Sequence, residues 1–237
     1  MERYRMFNHS SEDMHEIRDG SIDLTIADPP FNVGILFDGA VDSEPHSDYV
    51  GTIRNVMTEV ARVIKPKGLV VMLAPEKVQE SGQTYEYCKI FSKICEESGL
   101  IKLDSTLFKI YEDDEYCICL DKWDQIDPSR DCHSAELQLL VFGKERGDVN
   151  KFSPQEIYEY APAEGHPCPF PVDLVKDLLD TYFTPGEMVL DPFMGTANLG
   201  VEVIKRCGFF RGYDQAKGFC DTAEKKLKQA VMDILDS

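Results

Sequence analysis

Two short strings hold residues whose types and spacing could do chemistry: Asp28-Pro29-Pro30-Phe31 and Asp191-Pro192-Phe193-Met194-Gly195-Thr196. The first follows Ile22-Asp23-Leu24-Thr25-Ile26-Ala27 and the second follows Met188-Val189-Leu190. Both preceding runs read as buried strands. Each string therefore sets an Asp at the carboxyl end of a strand, the edge where open α/β sheets bind ligands. Asp28 offers acceptor oxygens beside a turn whose two prolines fix φ, and Phe31 adds an aromatic face. Gly195 permits close backbone approach to a ligand. Amides opening the helix after it can meet an anionic group. Taken alone, either string could be an ordinary strand end and turn. The strand–loop context of both favours a site.

The elements that must position these residues are legible. Tyr49, Ile53, Val56, Met57, Val60, Val63 and Ile64 recur at helical spacing within Asp48–Ile64. Lys65-Pro66-Lys67-Gly68 stops that helix, and Leu69–Leu73 is an apolar strand. A helix over Tyr85–Glu97 and strands over Ile101–Ile110 and Leu137–Phe142 follow. Phe170–Tyr182 reads as a helix, then strand Glu187–Leu190, a helix over Thr196–Cys207, strand Phe209–Tyr213 and a last helix. Strands alternating with helices predict an α/β fold with a doubly wound, mainly parallel sheet. Two stretches without periodicity, residues 32–47 and 121–135, are candidate target loops near the ligand-binding edge. The 237 residues suit one domain, 1–237, with no repeat or linker.

The two strings resemble the catalytic and cofactor motifs of amino-methyltransferases that use S-adenosylmethionine. With the catalytic motif first, the chain resembles the permuted β class of DNA adenine-N6 and cytosine-N4 methyltransferases. The resemblance implies a Rossmann-like class I methyltransferase fold with permuted motif order. It makes Asp28, Pro29, Pro30 and Phe31 catalytic. An exocyclic amine is a poor nucleophile because its lone pair is delocalised into the ring. Asp28 would accept one amine hydrogen and a backbone carbonyl of the Pro29-Pro30 turn the other, stabilising positive charge growing on nitrogen. Phe31 would stack on a base flipped out of DNA.

On the cofactor side the resemblance assigns Asp191, Pro192, Phe193, Gly195 and Thr196 to S-adenosylmethionine, and Asp214 to the ribose hydroxyls. Gly165-His166-Pro167-Cys168-Pro169-Phe170-Pro171 resembles the family's His-Pro-Ala-x-Phe-Pro segment, which makes His166 and Phe170 methionine-side residues. Asn8–Met14 resembles the segment that contacts the cofactor's adenine, with Ser10 and Asp28 in reach of the cofactor. The family continues Gly-Ser/Thr-Gly-Thr-Thr, whereas Gly195-Thr196 is followed here by Ala197-Asn198-Leu199-Gly200. Asn198 stands as the replacement donor.

The implied reaction is methylation of adenine N6 in duplex or single-stranded DNA. Cytosine N4, a non-DNA substrate (RNA, protein or small molecule), and a non-catalytic cofactor-binding subunit are the alternatives. A homodimer is a candidate assembly. The net charge of −18 is unusual beside phosphate-binding chemistry, and about twenty residues between Lys144 and His166 leave little room for a target-recognition region. No run reaches the roughly 18 apolar residues of a membrane span. Eight cysteines without a signal core read as reduced cytoplasmic thiols. Their spacings lack the Cys-x₂₋₄-Cys pairs of zinc sites, so no metal is expected. The acidic run Glu112–Glu115 reads as a solvated hairpin.

Overall fold

A computed structural model describes residues 2–38, 40–80, 83–113, 126–127, 132–155, 158–160 and 166–235. In chain order the elements begin with β1 (Tyr4–Phe7), β2 (Ile22–Ala27), the hairpin β3 (Leu36–Phe37) and β4 (Ala40–Val41), α1 (His46–Val63) and β5 (Ile64–Pro75). Next come the hairpin β6 (Val78–Glu80) and β7 (Gln83–Tyr85), α2 (Tyr87–Glu97), β8 (Ile101–Asp113), β9 (Ile126–Asp127), β10 (Cys132–Gly143) and β11 (Glu159–Tyr160). The chain continues through α3 (Val172–Tyr182), β12 (Met188–Asp191), α4 (Asn198–Lys205), β13 (Phe209–Tyr213) and α5 (Lys217–Leu235).

One sheet runs β1-β13-β12-β2-β5-β10-β8-β11, with β9 on β10. The pairs from β1 through β5 are parallel, β10 is antiparallel to β5 and β8, and β11 is parallel to β8. The mainly parallel sheet expected from the sequence is therefore present. The central strands are covered on both faces, which explains runs such as Val70–Ala74, fully buried throughout. Helix α1 turns Tyr49, Ile53, Val56, Met57 and Val60 inward. Helix α4 packs with α3 and α5 against β12 and β13, while α2 packs with α1 against β5.

From β2 the chain crosses through α1 to β5 on one side. From β12 it crosses through α4 to β13 on the other. Two right-handed crossovers running in opposite directions put their helices on opposite faces. They open a crevice at the carboxyl ends of β2 and β12, which pair as neighbours. Asp28 follows β2 and Asp191 ends β12, so both motifs open on that crevice.

Several details differ from the sequence reading: residues 65–68, expected to separate the first helix from its strand, already belong to β5, and α2 starts at Tyr87, after the β6–β7 hairpin and not at Tyr85. Strand β1 is an addition to that reading; this strand pairs with β13, Tyr4 beside Phe210 and Phe7 beside Tyr213. Residues 32–47 contain the β3–β4 hairpin and the first turn of α1. Strands β8 and β10 extend past their expected ends into a long antiparallel arm. Helix α4 starts at Asn198, two residues late, because Ala197 takes a left-handed conformation, φ 60°. Most of the second candidate loop, 121–135, lies outside the described residues, as do Asp114, Glu115 and Gly165. No described helix is long and apolar enough to cross a membrane.

Candidate active site

Asp28 stands just past the last hydrogen-bonded residue of β2 and borders the crevice. Its Oδ1 is sealed from solvent and receives no hydrogen bond from the described residues. Burial alone pushes its carboxyl up to about 7. An acceptor buried without a donor carries a desolvation cost, so this oxygen suits a ligand that brings an N–H. The next two residues are prolines without N–H groups. The Pro30 carbonyl accepts the Tyr49 hydroxyl at 2.7 Å. Phe31 is buried and borders the same space.

The second motif is ordered by its own carboxylates. Asp191 Oδ1 accepts the Phe193 amide at 3.0 Å. Burial pushes Asp191 up to about 8; that amide opposes the rise, and the charges of Asp28 and Asp214 add to it. Asp214, directly after β13, accepts the Gly195 amide at 2.9 Å and the Ala216 amide at 2.7 Å. Burial still holds its carboxyl above the usual range despite those two amides, with Asp38 adding. Gly195 has φ +49°, and a Cβ there would lie 2.8 Å from His166 Nε2. Only glycine fits that position.

Asn198 is more committed than the sequence suggests. Its amide donates to the Phe170 carbonyl at 2.9 Å, and its Oδ1 accepts Lys226 Nζ at 2.7 Å. It ties the segment before α3 to the start of α4, leaving one amide hydrogen to offer a ligand.

His166 is buried, 4.4 Å from the Phe219 ring and 5.6 Å from Phe37. Its Nδ1 accepts the Cys168 amide at 3.2 Å. Burial, helped by the charge of Lys226, lowers it to about 4. A neutral ring accepting at Nδ1 carries its proton on Nε2, which faces Gly195. His166 therefore presents a donor toward the Gly195 turn and does not cap α3, whose N-cap is Pro171.

The β3–β4 hairpin closes over these walls. Asp42 accepts the Val33 amide at 3.3 Å and the Ile35 amide. Asn32 and Glu44 exchange two hydrogen bonds, 2.9 and 2.8 Å. The hairpin tip crosses to the opposite wall, where Asp38 accepts the Gly218 amide of α5 at 2.9 Å. At the adjoining end, Ser10 is held in a local turn by Glu12. The two ring nitrogens of His9 lie within hydrogen-bond distance of the Ser10 carbonyl, at 2.9 Å, and of Glu16, at 2.8 Å. Burial pulls its proton affinity down, but those two acceptors outweigh it and raise the imidazole.

Together these walls enclose a cavity of about 530 Å³. Every site residue named from the sequence borders it: Ser10, Asp28 with its Pro-Pro-Phe turn, His166, Phe170, the Asp191–Thr196 string except its unassigned Met194 (itself a lining residue), Asn198 and Asp214. The residues missed were Tyr49, Asp38, Asp42, Phe219 and Lys226. Tyr49 read as a plain core residue, Phe219 and Lys226 lie on the last helix outside any motif, and the two acids belong to a hairpin with no sequence period. Three carboxyls raised by burial around one cavity suit a ligand that carries positive charge.

Among the described residues no cluster of His, Cys, Asp and Glu could hold a metal. Cys88, Cys95 and Cys220 are buried free thiols, and Cys207 is an exposed one. Cys168 departs from the expectation of reduced thiols, for it is disulfide-bonded.

An open α/β sheet with an acid-tipped crevice at its switch point, and a glycine turn opening the helix beside it, has the architecture of the Rossmann-like class I methyltransferase fold with its motifs in permuted order. Residues 22–225 match the N6/N4 DNA methylase family model, and the chain belongs to that family, whose enzymes use S-adenosylmethionine. The type II methyltransferase M.BglII of Bacillus subtilis is 23% identical over 90% of this chain and 65% of its own length. The chain thus spans just under two thirds of that relative. The DNA adenine methyltransferase YhdJ of Escherichia coli is 27% identical over 78% of this chain and 68% of its own length. Among solved structures, the cytosine-N4-specific PvuII DNA methyltransferase superposes with a TM-score of 0.68 at 16% identity, covering 99% of this chain and 93% of that one.

Proposed function

We propose that this chain transfers a methyl group from S-adenosylmethionine to adenine N6 in DNA, on a base flipped out of the strand. The observation that carries this reading is the buried Asp28 Oδ1, an acceptor with no donor among the described residues, beside a Pro-Pro turn that has no N–H of its own. The cofactor supplies an electrophilic methyl on a sulfonium. The cavity fits such a group: Gly195 lets it approach the backbone, His166 Nε2 offers a donor, Asp214 keeps acceptor capacity for ribose hydroxyls, and the acids complement its charge.

Asp28 Oδ1 takes one hydrogen of the target amine and the Pro29 carbonyl takes the other. Fixed acceptors on both hydrogens orient the nitrogen lone pair and stabilise the positive charge that grows on it. Phe31 stacks on the base. One domain carries this chemistry, with residues 32–47 on the target side; most of the other candidate target loop, 121–135, lies outside the described residues. Cytosine N4 is the second reading, favoured by the likeness to PvuII.

Labelled methyl transfer to DNA, followed by digestion and separation of nucleosides, tests the proposal. Label in N6-methyladenine supports the first reading and label in N4-methylcytosine the second. Label that enters RNA, protein or small molecules and not DNA overturns both. Asp28→Ala should keep cofactor affinity yet lose nearly all transfer; substantial residual turnover would assign the amine to another residue.

A further inference from the structure

Resting on that reading, we infer that Tyr49 is a positioning residue for methyl transfer, acting through the turn that receives the target amine. Pro29 and Pro30 have no backbone N–H, so those two residues cannot anchor the turn by donating hydrogen bonds. Hydrogen bonds there must come from donors outside. The Tyr49 hydroxyl supplies one, to the Pro30 carbonyl at 2.7 Å.

Tyr49 is itself held firmly. It lies on α1, is 5% exposed, and packs against the rings of Tyr87 at 5.3 Å and Phe91 at 6.4 Å. Burial keeps the phenol protonated, so it remains a donor at any working pH. Anchoring the Pro30 carbonyl on α1 leaves the Pro29 carbonyl as the turn's other acceptor, on a residue that borders the cavity. It also fixes the backbone that carries Asp28. Tyr49 touches neither the amine nor the cofactor in this scheme. It sets the angle between the two acceptors, and a displacement of about 1 Å at such a site can cost about a hundredfold in rate.

The test is Tyr49→Phe, which removes one oxygen and leaves the ring packing in place. The expected result is a fall in kcat for labelled methyl transfer to DNA of about tenfold or more. The cofactor KM and its calorimetric affinity should stay at wild-type values. Phe91→Leu loosens the same aromatic packing but leaves the hydroxyl able to donate, and should lower the melting temperature with a smaller loss in kcat than Tyr49→Phe. Tyr49→Phe with wild-type kcat overturns the inference, as does an equal loss in Phe91→Leu. Wild-type protein that transfers methyl to DNA separates either result from failure of the proposed function. Wild-type protein that transfers none overturns both, since Tyr49 would have no amine to aim at.

Discussion

Asp28 and Asp191 sit at the carboxyl ends of neighbouring strands, and the charge of the first raises the proton affinity of the second. Among the described residues, no cation contributes to the shift of either acid. Two such acids are held close at a cost that a positively charged ligand would relieve.

That arrangement sets a pH dependence. The folded value of Asp28, about 7, lies above its ordinary 3.8. Between those values the folded chain binds more protons than the unfolded one, so this group's contribution to stability is complete below about pH 4 and is lost as pH rises through 7. Replacing Asp28 with Asn removes the titration. The melting temperature of Asp28→Asn should therefore gain on wild type as pH climbs from about 4 to 7, and hold its lead above that. A constant difference across that range would refute the buried, uncompensated state of this carboxyl.

Asp214→Ala should weaken S-adenosylmethionine binding by about 1.5–3 kcal/mol, the usual worth of a charge-assisted contact. Part of that loss would come from the freed Gly195 and Ala216 amides. Asp214→Asn keeps one acceptor oxygen and should fall between. Calorimetry giving wild-type affinity for a folded Asp214→Ala would remove Asp214 from the cofactor site.

Gly195→Ala forces a side chain into left-handed backbone, at about 1–2 kcal/mol, and drives a Cβ to 2.8 Å from His166 Nε2. For a chain this long the backbone cost alone corresponds to about 2–8 °C in melting temperature. Adding His166→Ala should recover the steric part and leave the backbone part. A single variant melting with wild type would contradict the conformation described.

The acidic balance bears on DNA. Many cations already pair with acids, among them Arg62 with Asp19 and Glu59, and Arg206 with Asp180 and Glu202. With those cations committed, log K against log salt should be shallow, between about −1 and −3, each phosphate contributing about −0.9. Fluorescence anisotropy with duplex and single strands checks this. A steeper slope would reveal a basic cleft, and no binding even at low salt would move the substrate away from DNA.

How far the sequence could be read follows from how each residue is held. Buried strands such as Ile22–Ala27 and strong helical periods such as Asp48–Ile64 announce themselves through apolar pattern. The motif residues come with them, since each follows a strand. Tyr49 could not be read as more than a core aromatic, because its use lies in one hydroxyl whose partner is nineteen residues away. The β3–β4 hairpin has two-residue strands, too short for any period. Four-residue β1 owes its existence to the open edge of β13. Asn198 could be recognised as a substitute in the motif, but its bonds to Phe170 and Lys226 are tertiary facts.

The docking of β1 has a practical consequence for anyone handling this protein. The Phe7 carbonyl accepts the Asp214 amide at 3.1 Å, and Asn8 donates to the Asp214 and Gln215 carbonyls, each at 3.0 Å. Residues 4–8 thus brace the backbone of an acid more than two hundred positions downstream. A purification tag that disturbs them, or a trimmed chain that lacks them, would damage cofactor affinity while leaving the Asp28 turn intact. Loss of activity after such an edit would mimic a mutation of Asp214 itself, and restoring Tyr4–Asn8 should restore it.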